Sequence, residues 1–401
     1  MLRLGRTVTG LGFAALITVL ALEAALQFAF LHLPSVLIEQ MPQYLERSGF
    51  RLETKHGARE YPAQQIVDYE ITQTSGDLYR LTCLSPDDAP PFDTYHVRFT
   101  RDSHGFRNEE PWPDLTDLVI IGDSYVAAEA IGLPFWHGIS ESLLVLGLPG
   151  SGTLEQQRLY EAFAAPRKPK TVVLSYFSGN DLADNLDFAE MLTKGESFAV
   201  RAHQGKYSLD YSVVFNLMLY LANSISLGEV LPCHYPQPAA TEPRTPVAFY
   251  DEFLPVLALD EKSLRDSETF RLTSVSIAEM ATAQYARGDR FILMYIPQKV
   301  ELYWKLLSAQ SKESIVSQLD EEYEIAEYKI IDENILAQRN LIAELADELG
   351  IEFLDLTASL AAAITDGQQP YFFADTHWNQ TGHNIARIAL LNQLNQSNLD
   401  K

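Results

Sequence analysis

Five short, mostly apolar runs, separated by segments with helical periodicity, constrain the fold of this 401-residue chain more than any other feature. The runs comprise residues 118–121, 143–146, 171–174, 291–294 and 351–354, and the helical patterns comprise residues 153–165, 263–287, 332–349 and 380–393. Runs of this kind are typical of strands that are buried on both faces of a sheet. Strands that alternate with helices predict a parallel sheet with helices packed on both sides.

The spacing of these runs predicts how the chain is divided. The gap between the third and fourth runs is too long for one crossover connection, so residues 188–259 are predicted to be an insertion in a domain that spans residues 114–396. Residues 34–113 contain short alternating runs and several prolines, which predict a strand-rich, membrane-proximal segment. Cys83 and Cys233 are too few for a disulfide-built fold, and the sequence leaves open whether they pair.

The N-terminus predicts where the protein is located. Residues 8–31 are almost entirely apolar, and a helix of about 24 residues is long enough to cross a bilayer. Arg3 and Arg6 precede this stretch and favour an N-terminus held in the cytoplasm. Residues 1–33 are therefore predicted to form a single-pass transmembrane anchor. The alternative is a cleaved signal peptide with its apolar stretch at residues 11–22, and both predict an extracytoplasmic domain.

Charge and glycine patterning argue against nucleic acids and nucleotides. The chain carries 54 acidic and 30 basic side chains, a formal net charge of -24, and a field of this sign repels phosphate backbones. Residues 147–153 superficially resemble a phosphate-binding P-loop. That motif requires a lysine before its serine or threonine, whereas Gly152 precedes Thr153 here. The sequence therefore predicts no nucleic-acid partner and no cofactor.

Candidate functional residues follow the first two predicted strands. The first strand leads into Gly122, Asp123 and Ser124, and the second leads to Gly150 and Gly152. Ligands bind beyond the carboxyl ends of parallel strands, and a serine at the start of a helix presents its hydroxyl there. Ser124 is thus either a nucleophile or an ordinary helix cap. The two glycines either bring backbone N–H groups close to a ligand or form a tight turn.

Further candidates follow the third strand and precede the last helix. Gly179, Asn180 and Asp181 follow the third strand, where an asparagine amide either donates to a developing oxyanion or forms an Asx turn. Asp375 and His377 lie two positions apart before the last helix, and a carboxylate at this spacing can orient an imidazole ring. A metal site would require a third ligand, and no cluster with suitable spacing supplies one, so no metal is expected.

These four motifs, taken in order, resemble those of the SGNH hydrolase (GDSL-like) superfamily, and the resemblance covers residues 115–394. It implies a flavodoxin-like three-layer α/β/α sandwich with a mainly parallel five-stranded sheet. It also implies that Ser124 is the nucleophile, that His377 is the general base and acid, and that Asp375 orients the imidazole.

The same resemblance implies an oxyanion hole made from the Ser124 N–H, the Gly150 N–H and the Asn180 side chain, with Gly152 as the alternative to Gly150. The acid and base stand in an Asp-x-His spacing, whereas Asp-x-x-His is common in the superfamily. The sequence Asp-Thr-His-Trp that begins at Asp375 is instead similar to a motif of the membrane-associated alginate O-acetyltransferase branch.

The implied activity is that of a serine esterase that removes small acyl groups, chiefly acetyl, from an extracytoplasmic glycan. One alternative is an O-acetyltransferase that acts on a cell-surface polysaccharide. Its partner would be a membrane protein that donates the acyl group. The other is a non-catalytic glycan-binding domain with the same fold. The complete set of four motifs favours an enzyme over a binding domain, because a binding domain has no need of all four.

Overall fold

The computed structural model divides the chain into two compact units, Met1–Glu53 with Lys194–Pro232, and Thr54–Thr193 with Cys233–Lys401. The residues that the structure describes are 17–29, 53–55, 57–61, 63–72, 94–194, 212–215, 217–218, 239–240, 246–247, 249, 253–317, 325, 327–372 and 375–396. Cys83, Cys233 and most of the predicted insertion lie outside these residues.

The described part of the first unit comprises a helix over residues 17–28, short segments at residues 212–215 and 217–218, and the boundary residues Glu53 and Lys194. Glu23 joins the helix to the segment at residues 212–215, because its carboxylate accepts hydrogen bonds from the backbone N–H groups of Val213 and Val214 at 3.0 and 2.9 Å. No helix among the described residues is both long and apolar enough to span a bilayer. The rest of the predicted anchor lies outside the described residues.

The second unit contains the central sheet and its helices. The strands are β1 (Glu53–Lys55), β2 (Ala58–Glu60), β3 (Ile66–Thr72), β4 (Thr94–Thr100), β5 (Leu118–Gly122), β6 (Leu143–Gly147), β7 (Thr171–Phe177), β8 (Ala239–Ala240), β9 (Pro246–Val247), β10 (Arg290–Ile296) and β11 (Glu352–Asp355). The α-helices are α1 (Ser124–Ala127), α2 (Thr153–Leu159), α3 (Asp181–Lys194), α4 (Glu261–Arg265), α5 (Glu268–Tyr285), α6 (Lys299–Tyr303), α7 (Ala309–Val316), α8 (Tyr328–Asn334), α9 (Ala337–Glu348), α10 (Thr357–Thr365) and α11 (Gln380–Gln396).

Five of these strands form one parallel sheet in the order β11-β10-β7-β5-β6. Counted along the chain within the sheet, this is the flavodoxin-like order 2-1-3-4-5, which places a topological switch point between β5 and β7. The prediction of a parallel five-stranded sheet is confirmed. Before the sheet, the described residues contain two separate strand pairs. β3 pairs with β4 in antiparallel orientation, and β1 pairs with β2, each of which has three residues.

Alternation along each strand separates two apolar layers. Val145, Ile120, Val173 and Ile292 pair in one row across the sheet, and all four are buried in the same core cluster. Their neighbours on each strand point to the opposite face, where a second cluster forms. Helices α6, α10 and α11 contribute to the first cluster, and α2, α5 and α9 to the second. The result is a three-layer sandwich.

Three of the predicted helices are broken or modified in the structure. The helix predicted over residues 263–287 is two helices, because the Ser267 side chain caps a new helix by accepting from the Phe270 N–H at 3.1 Å. The helix predicted over 332–349 is likewise split into α8 and α9. The helix predicted over 153–165 starts as α2 and continues as a π-helical turn.

Candidate active site

Strand β5 delivers Ser124 to the carboxyl edge of the sheet, where α1 begins. Asp123 is the residue that caps this helix, because its side chain accepts from the Tyr125 N–H at 2.9 Å. Ser124 is therefore the first helical residue rather than the cap, and its partly exposed hydroxyl is available for other contacts. Gly122 must be glycine, since an added Cβ would lie 2.6 Å from the Val126 side chain.

Ser124, His377 and Asp375 are in mutual contact, although the serine and the histidine lie 253 positions apart. The Nε2 atom of His377 is 2.7 Å from the Ser124 hydroxyl oxygen. The Nδ1 atom of the same ring is 2.5 Å from Oδ1 of Asp375. That oxygen also accepts the backbone N–H of His377 at 2.7 Å, so it fixes both the ring and the turn that carries it. In this arrangement the imidazole can accept the hydroxyl proton, while the carboxylate orients the ring and stabilises its charged form.

Electrostatics favour a charged carboxylate and a basic imidazole. Desolvation opposes the charge on Asp375, but His377 and the hydrogen bonds from it dominate, and the pKa of Asp375 falls to about 2. Desolvation also opposes an imidazolium, yet the adjacent Asp375 carboxylate outweighs it, so the pKa of His377 is raised above its ordinary value. Both side chains remain about one-third exposed, at 34% and 35%. A base of this kind can accept the serine proton near neutral pH.

Three groups could donate hydrogen bonds to an oxyanion next to Ser124. Among the described residues, no backbone acceptor is found for the Ser124 N–H or the Gly150 N–H, and Oδ1 of Asn180 is buried without a hydrogen-bond partner. Gly150 has φ +63°, and a Cβ added there would meet no atom within 4 Å, so this glycine borders open space. A Cβ added at Gly152 would lie 2.5 Å from the Asn185 side chain. Gly150 thus has the more open surroundings, and its role as the donor stays a prediction.

The remaining motif residues support these loops from beneath. The Asp181 carboxylate accepts the Phe177 N–H at 3.1 Å, and Gly179 lies so close to the Phe177 ring that a Cβ would come within 2.4 Å. Asp123 and Asp181 are both fully buried, and burial raises the pKa of Asp123 to about 6 and that of Asp181 well above its ordinary value. The negative charges of Asp123 and Asp184 raise the pKa of Asp181 further.

Two basic side chains that the sequence interpretation did not single out hold the loops of the site. Arg107 donates to the carbonyl oxygens of Ala128 and Ile131 at 2.6 and 2.9 Å, directly after the helix that carries Ser124. Lys299 is buried and donates to the carbonyl oxygens of Phe372 and Asp375 at 2.6 and 3.3 Å. Burial lowers the pKa of Lys299 to about 7, against the opposing effect of Asp375.

Aromatic packing fixes the histidine loop against the nucleophile helix. The Tyr125 hydroxyl donates to the Thr376 carbonyl at 2.6 Å, and its ring lies 5.0 Å from that of His377 and 4.8 Å from that of Trp378. A second histidine, His383 on α11, lies beside this loop, with its ring 5.6 Å from that of Trp378. It is buried, and its Nδ1 accepts the Phe135 N–H at 3.2 Å. Desolvation lowers the pKa of His383 to about 3, so it is a neutral core residue.

No metal centre is found in the described part of the chain, where no group of three His, Cys, Asp or Glu side chains is arranged to hold an ion. The groups in contact at this site are the Ser124 hydroxyl, the His377 imidazole and the Asp375 carboxylate. The structure brings together Ser124, His377 and Asp375, and it places Gly150 and Asn180 on the loops that follow β6 and β7, the two strands on either side of β5.

Comparisons with known proteins give similarity only among solved structures. No family model matches the chain, and no curated protein matches it. An alpha/beta hydrolase enzyme from the metagenome of Lake Arreo, Spain, is similar over 69% of this chain and 94% of its own, with 12% identity and a TM-score of 0.35. A lipase/acylhydrolase from Enterococcus faecalis is similar over 71% and 97%, with 10% identity and a TM-score of 0.34.

A catalytic mutant of an acetylxylan esterase from Geobacillus stearothermophilus is similar over 70% of this chain and 92% of its own, with 12% identity and a TM-score of 0.33.

Proposed function

We propose that this chain is a serine esterase of the SGNH hydrolase type that works through an acyl-enzyme intermediate. The observation that carries the proposal is the continuous line of contacts from Ser124 Oγ to His377 Nε2 at 2.7 Å and from His377 Nδ1 to Asp375 Oδ1 at 2.5 Å. Nucleophile, base and orienting acid at these distances are the pattern of activated-serine catalysis.

The mechanism begins with proton transfer from the Ser124 hydroxyl to Nε2 of His377 as the serine oxygen attacks an ester carbonyl. Negative charge develops on the carbonyl oxygen, and the Ser124 N–H, the Gly150 N–H and the Asn180 amide stabilise it. His377 then gives its proton to the departing alcohol, leaving an acyl group on Ser124. Water, activated by the same imidazole, releases the acid. Asp375 stays ionised throughout and stabilises the imidazolium.

The substrate class that we propose is a small acyl ester, chiefly an O-acetyl group on an extracytoplasmic glycan. The superfamily resemblance supports the acyl group, and the apolar stretch at residues 8–31 supports the location. The second candidate is transfer of acetyl to a polysaccharide, with a membrane protein as acyl donor. The Asp-Thr-His-Trp sequence favours it, and in the structure the Thr376 carbonyl and the Trp378 ring both contact Tyr125, beside the nucleophile.

Hydrolysis of p-nitrophenyl acetate by the purified chain tests the esterase proposal. We expect turnover that Ser124→Ala and His377→Ala each lower by at least about 10³-fold, because the triad acts as a unit. His137→Ala is the matched control, since that histidine is exposed, and it should keep wild-type activity. Activity that survives Ser124→Ala would contradict the proposal. Acetyl release that requires an added polysaccharide would instead support the transferase.

The membrane anchor is tested with the full chain in its host envelope. We expect the protein to sediment with membranes, to resist extraction by alkaline carbonate, and to be digested by a protease added outside the cytoplasmic membrane. Extraction of the intact chain by carbonate would contradict the anchor. A shortened N-terminus on the mature protein would identify the apolar stretch as a signal peptide.

A further inference from the structure

A buried arginine from outside the parallel sheet holds the loop that carries Gly150. Arg59 lies on β2, 91 positions before that glycine, and only 5% of it is exposed. Its Nη2 donates to the Gly150 carbonyl oxygen and also to Oε2 of Glu155 at 2.6 Å. Its Nε donates to the same carboxylate at 2.9 Å.

Glu155 makes this contact directional. It is fully buried in the first turn of α2, the helix that begins after the Gly150 loop. Its carboxylate takes three of the Arg59 donors, including the backbone N–H at 2.7 Å. The planar guanidinium is therefore fixed in one orientation, and Nη2, which binds the carboxylate, also points at the Gly150 carbonyl. An ion pair alone would not need that last contact.

The backbone at Gly150 explains why such a contact matters. Glycine restrains φ and ψ weakly, and Gly150 adopts φ +63°, so its peptide groups are free to reorient unless they are held. Its carbonyl points inward to Arg59, while the position of its missing Cβ faces open space. The N–H and the carbonyl of Gly150 belong to two peptide planes that meet at its Cα. Arg59 fixes the plane on the carbonyl side. On the N–H side the chain is restrained by the ring of Pro149 and by the hydrogen bond from the Leu148 N–H to the Gly122 carbonyl at 2.9 Å, so both planes are held.

We propose that Arg59 is a positioning residue that holds the Gly150 N–H in the direction an oxyanion requires. This inference rests on the proposed esterase function. It makes the segment before the sheet a working part of the active site, where the sequence predicted only a membrane-proximal strand-rich region. The contact acts through Gly150, since Arg59 itself has no direct contact with Ser124, His377 or Asp375 among the described residues.

The test removes the guanidinium without leaving a buried charge unpaired. Arg59→Met alone would strand the Glu155 carboxylate, which is strongly destabilising. The double variant R59M/E155Q removes one positive and one negative charge, so the net charge of the pair stays zero. The glutamine side chain keeps an oxygen that can accept the backbone N–H of residue 59. R59K keeps the positive charge but carries all its N–H donors on one nitrogen. That nitrogen cannot donate to the carboxylate and the carbonyl together in the way that the planar guanidinium does. Arg98→Met, on the exposed face of β4, is the matched control.

We expect R59M/E155Q to lower kcat on p-nitrophenyl acetate by about 10–100-fold, up to the loss seen when one oxyanion donor is removed. KM should change by less than about threefold, because the contact matters in the transition state. The acid limb of the pH profile should stay where it is in the wild type, since the base is untouched. R59K should show a smaller loss of the same kind, and Arg98→Met none.

A folded R59M/E155Q variant with kcat within about twofold of wild type would overturn the proposal. So would a shift of the acid limb together with the loss, which would indicate damage to the triad. If the double variant does not fold, R59K decides: unchanged kcat overturns the proposal, and a selective loss of kcat supports it. A wild-type chain that neither hydrolyses esters nor reacts at Ser124 would refute the proposed function itself, which is a different result.

Discussion

The substitution Asp375→Asn separates the charge of the acid from its geometry. In the structure one oxygen, Oδ1, serves both the His377 ring at 2.5 Å and the His377 backbone N–H at 2.7 Å. Asparagine keeps the shape of the side chain but loses the negative charge, and its amide N–H can donate to Nδ1. That contact places the ring proton on Nε2, which is the wrong tautomer for accepting the Ser124 proton.

The expected loss follows from that difference. A hydrogen bond to a charged group contributes about 1.5–3 kcal/mol, and a neutral one about 0.5–1.5 kcal/mol. The difference of roughly 1–1.5 kcal/mol corresponds to about 5–15-fold in rate. The wrong tautomer has a much larger effect, and the Asp→Asn change lowers kcat by about 10⁴-fold in a serine protease triad. We therefore expect Asp375→Asn to lose about 10⁴-fold, and Asp375→Ala, which removes the orienting group, to lose a similar factor.

The assay is kcat/KM on p-nitrophenyl acetate over the acidic and neutral range, with thermal melting to show that both variants are folded. Because the Asp375 charge raises the pKa of His377, its removal should also move the acid limb of Asp375→Asn to lower pH. The reasoning would be refuted by an Asp375→Asn variant that keeps kcat/KM within about 15-fold of wild type, since only the charge would then matter, or by an acid limb that does not move.

Four further outcomes are expected from the same structure. Asn180→Ala should lower kcat by about 10²–10³-fold with little change in KM, measured by steady-state kinetics, and an effect confined to KM would exclude an oxyanion role. In the wild type the acid limb of kcat/KM should lie above pH 6.5, because the pKa of His377 is raised and the base must be neutral to act; a limb below that value would contradict the assignment. Lys299→Met should lower kcat about tenfold in a folded protein, because two loop carbonyls lose a charged donor worth about 1.5–3 kcal/mol, and unchanged kcat would show that the loop holds itself. Gly152→Ala should lower the melting temperature because its Cβ meets atoms at 2.5–2.7 Å, whereas Gly150→Ala should affect activity more than melting; the reverse order would exchange their roles.

The central sheet could be predicted because burial on both faces removes polar residues from its strands. The run at residues 118–121 corresponds to β5 (Leu118–Gly122), and the run at 171–174 lies within β7 (Thr171–Phe177). A helix of a few residues is too short for an apolar pattern to repeat along it. α6 (Lys299–Tyr303) has only five residues, so no pattern could show it. Splitting of longer helices depends on single capping side chains such as Ser267, which a period of 3.6 does not reveal.

The candidate site was predictable in part, because its chemistry-bearing residues follow strand ends in a fixed order along the chain. Arg59, Arg107 and Lys299 escaped the prediction for a physical reason. Each donates to backbone carbonyls. Every residue type has a backbone carbonyl, so the sequence does not show which residue is the acceptor. Their partners lie 91, 21 and 73 positions away, beyond the reach of any local spacing rule.

The central claim, that Ser124 is an activated nucleophile, is tested most directly by reaction with a fluorophosphonate, followed by mass spectrometry of the adduct. The reagent modifies serines whose hydroxyl is activated by a base. The proposed mechanism predicts one adduct on Ser124 that is lost in His377→Ala and retained in His137→Ala. A folded wild-type chain that takes no adduct on Ser124, or one that is labelled equally in His377→Ala, would contradict it.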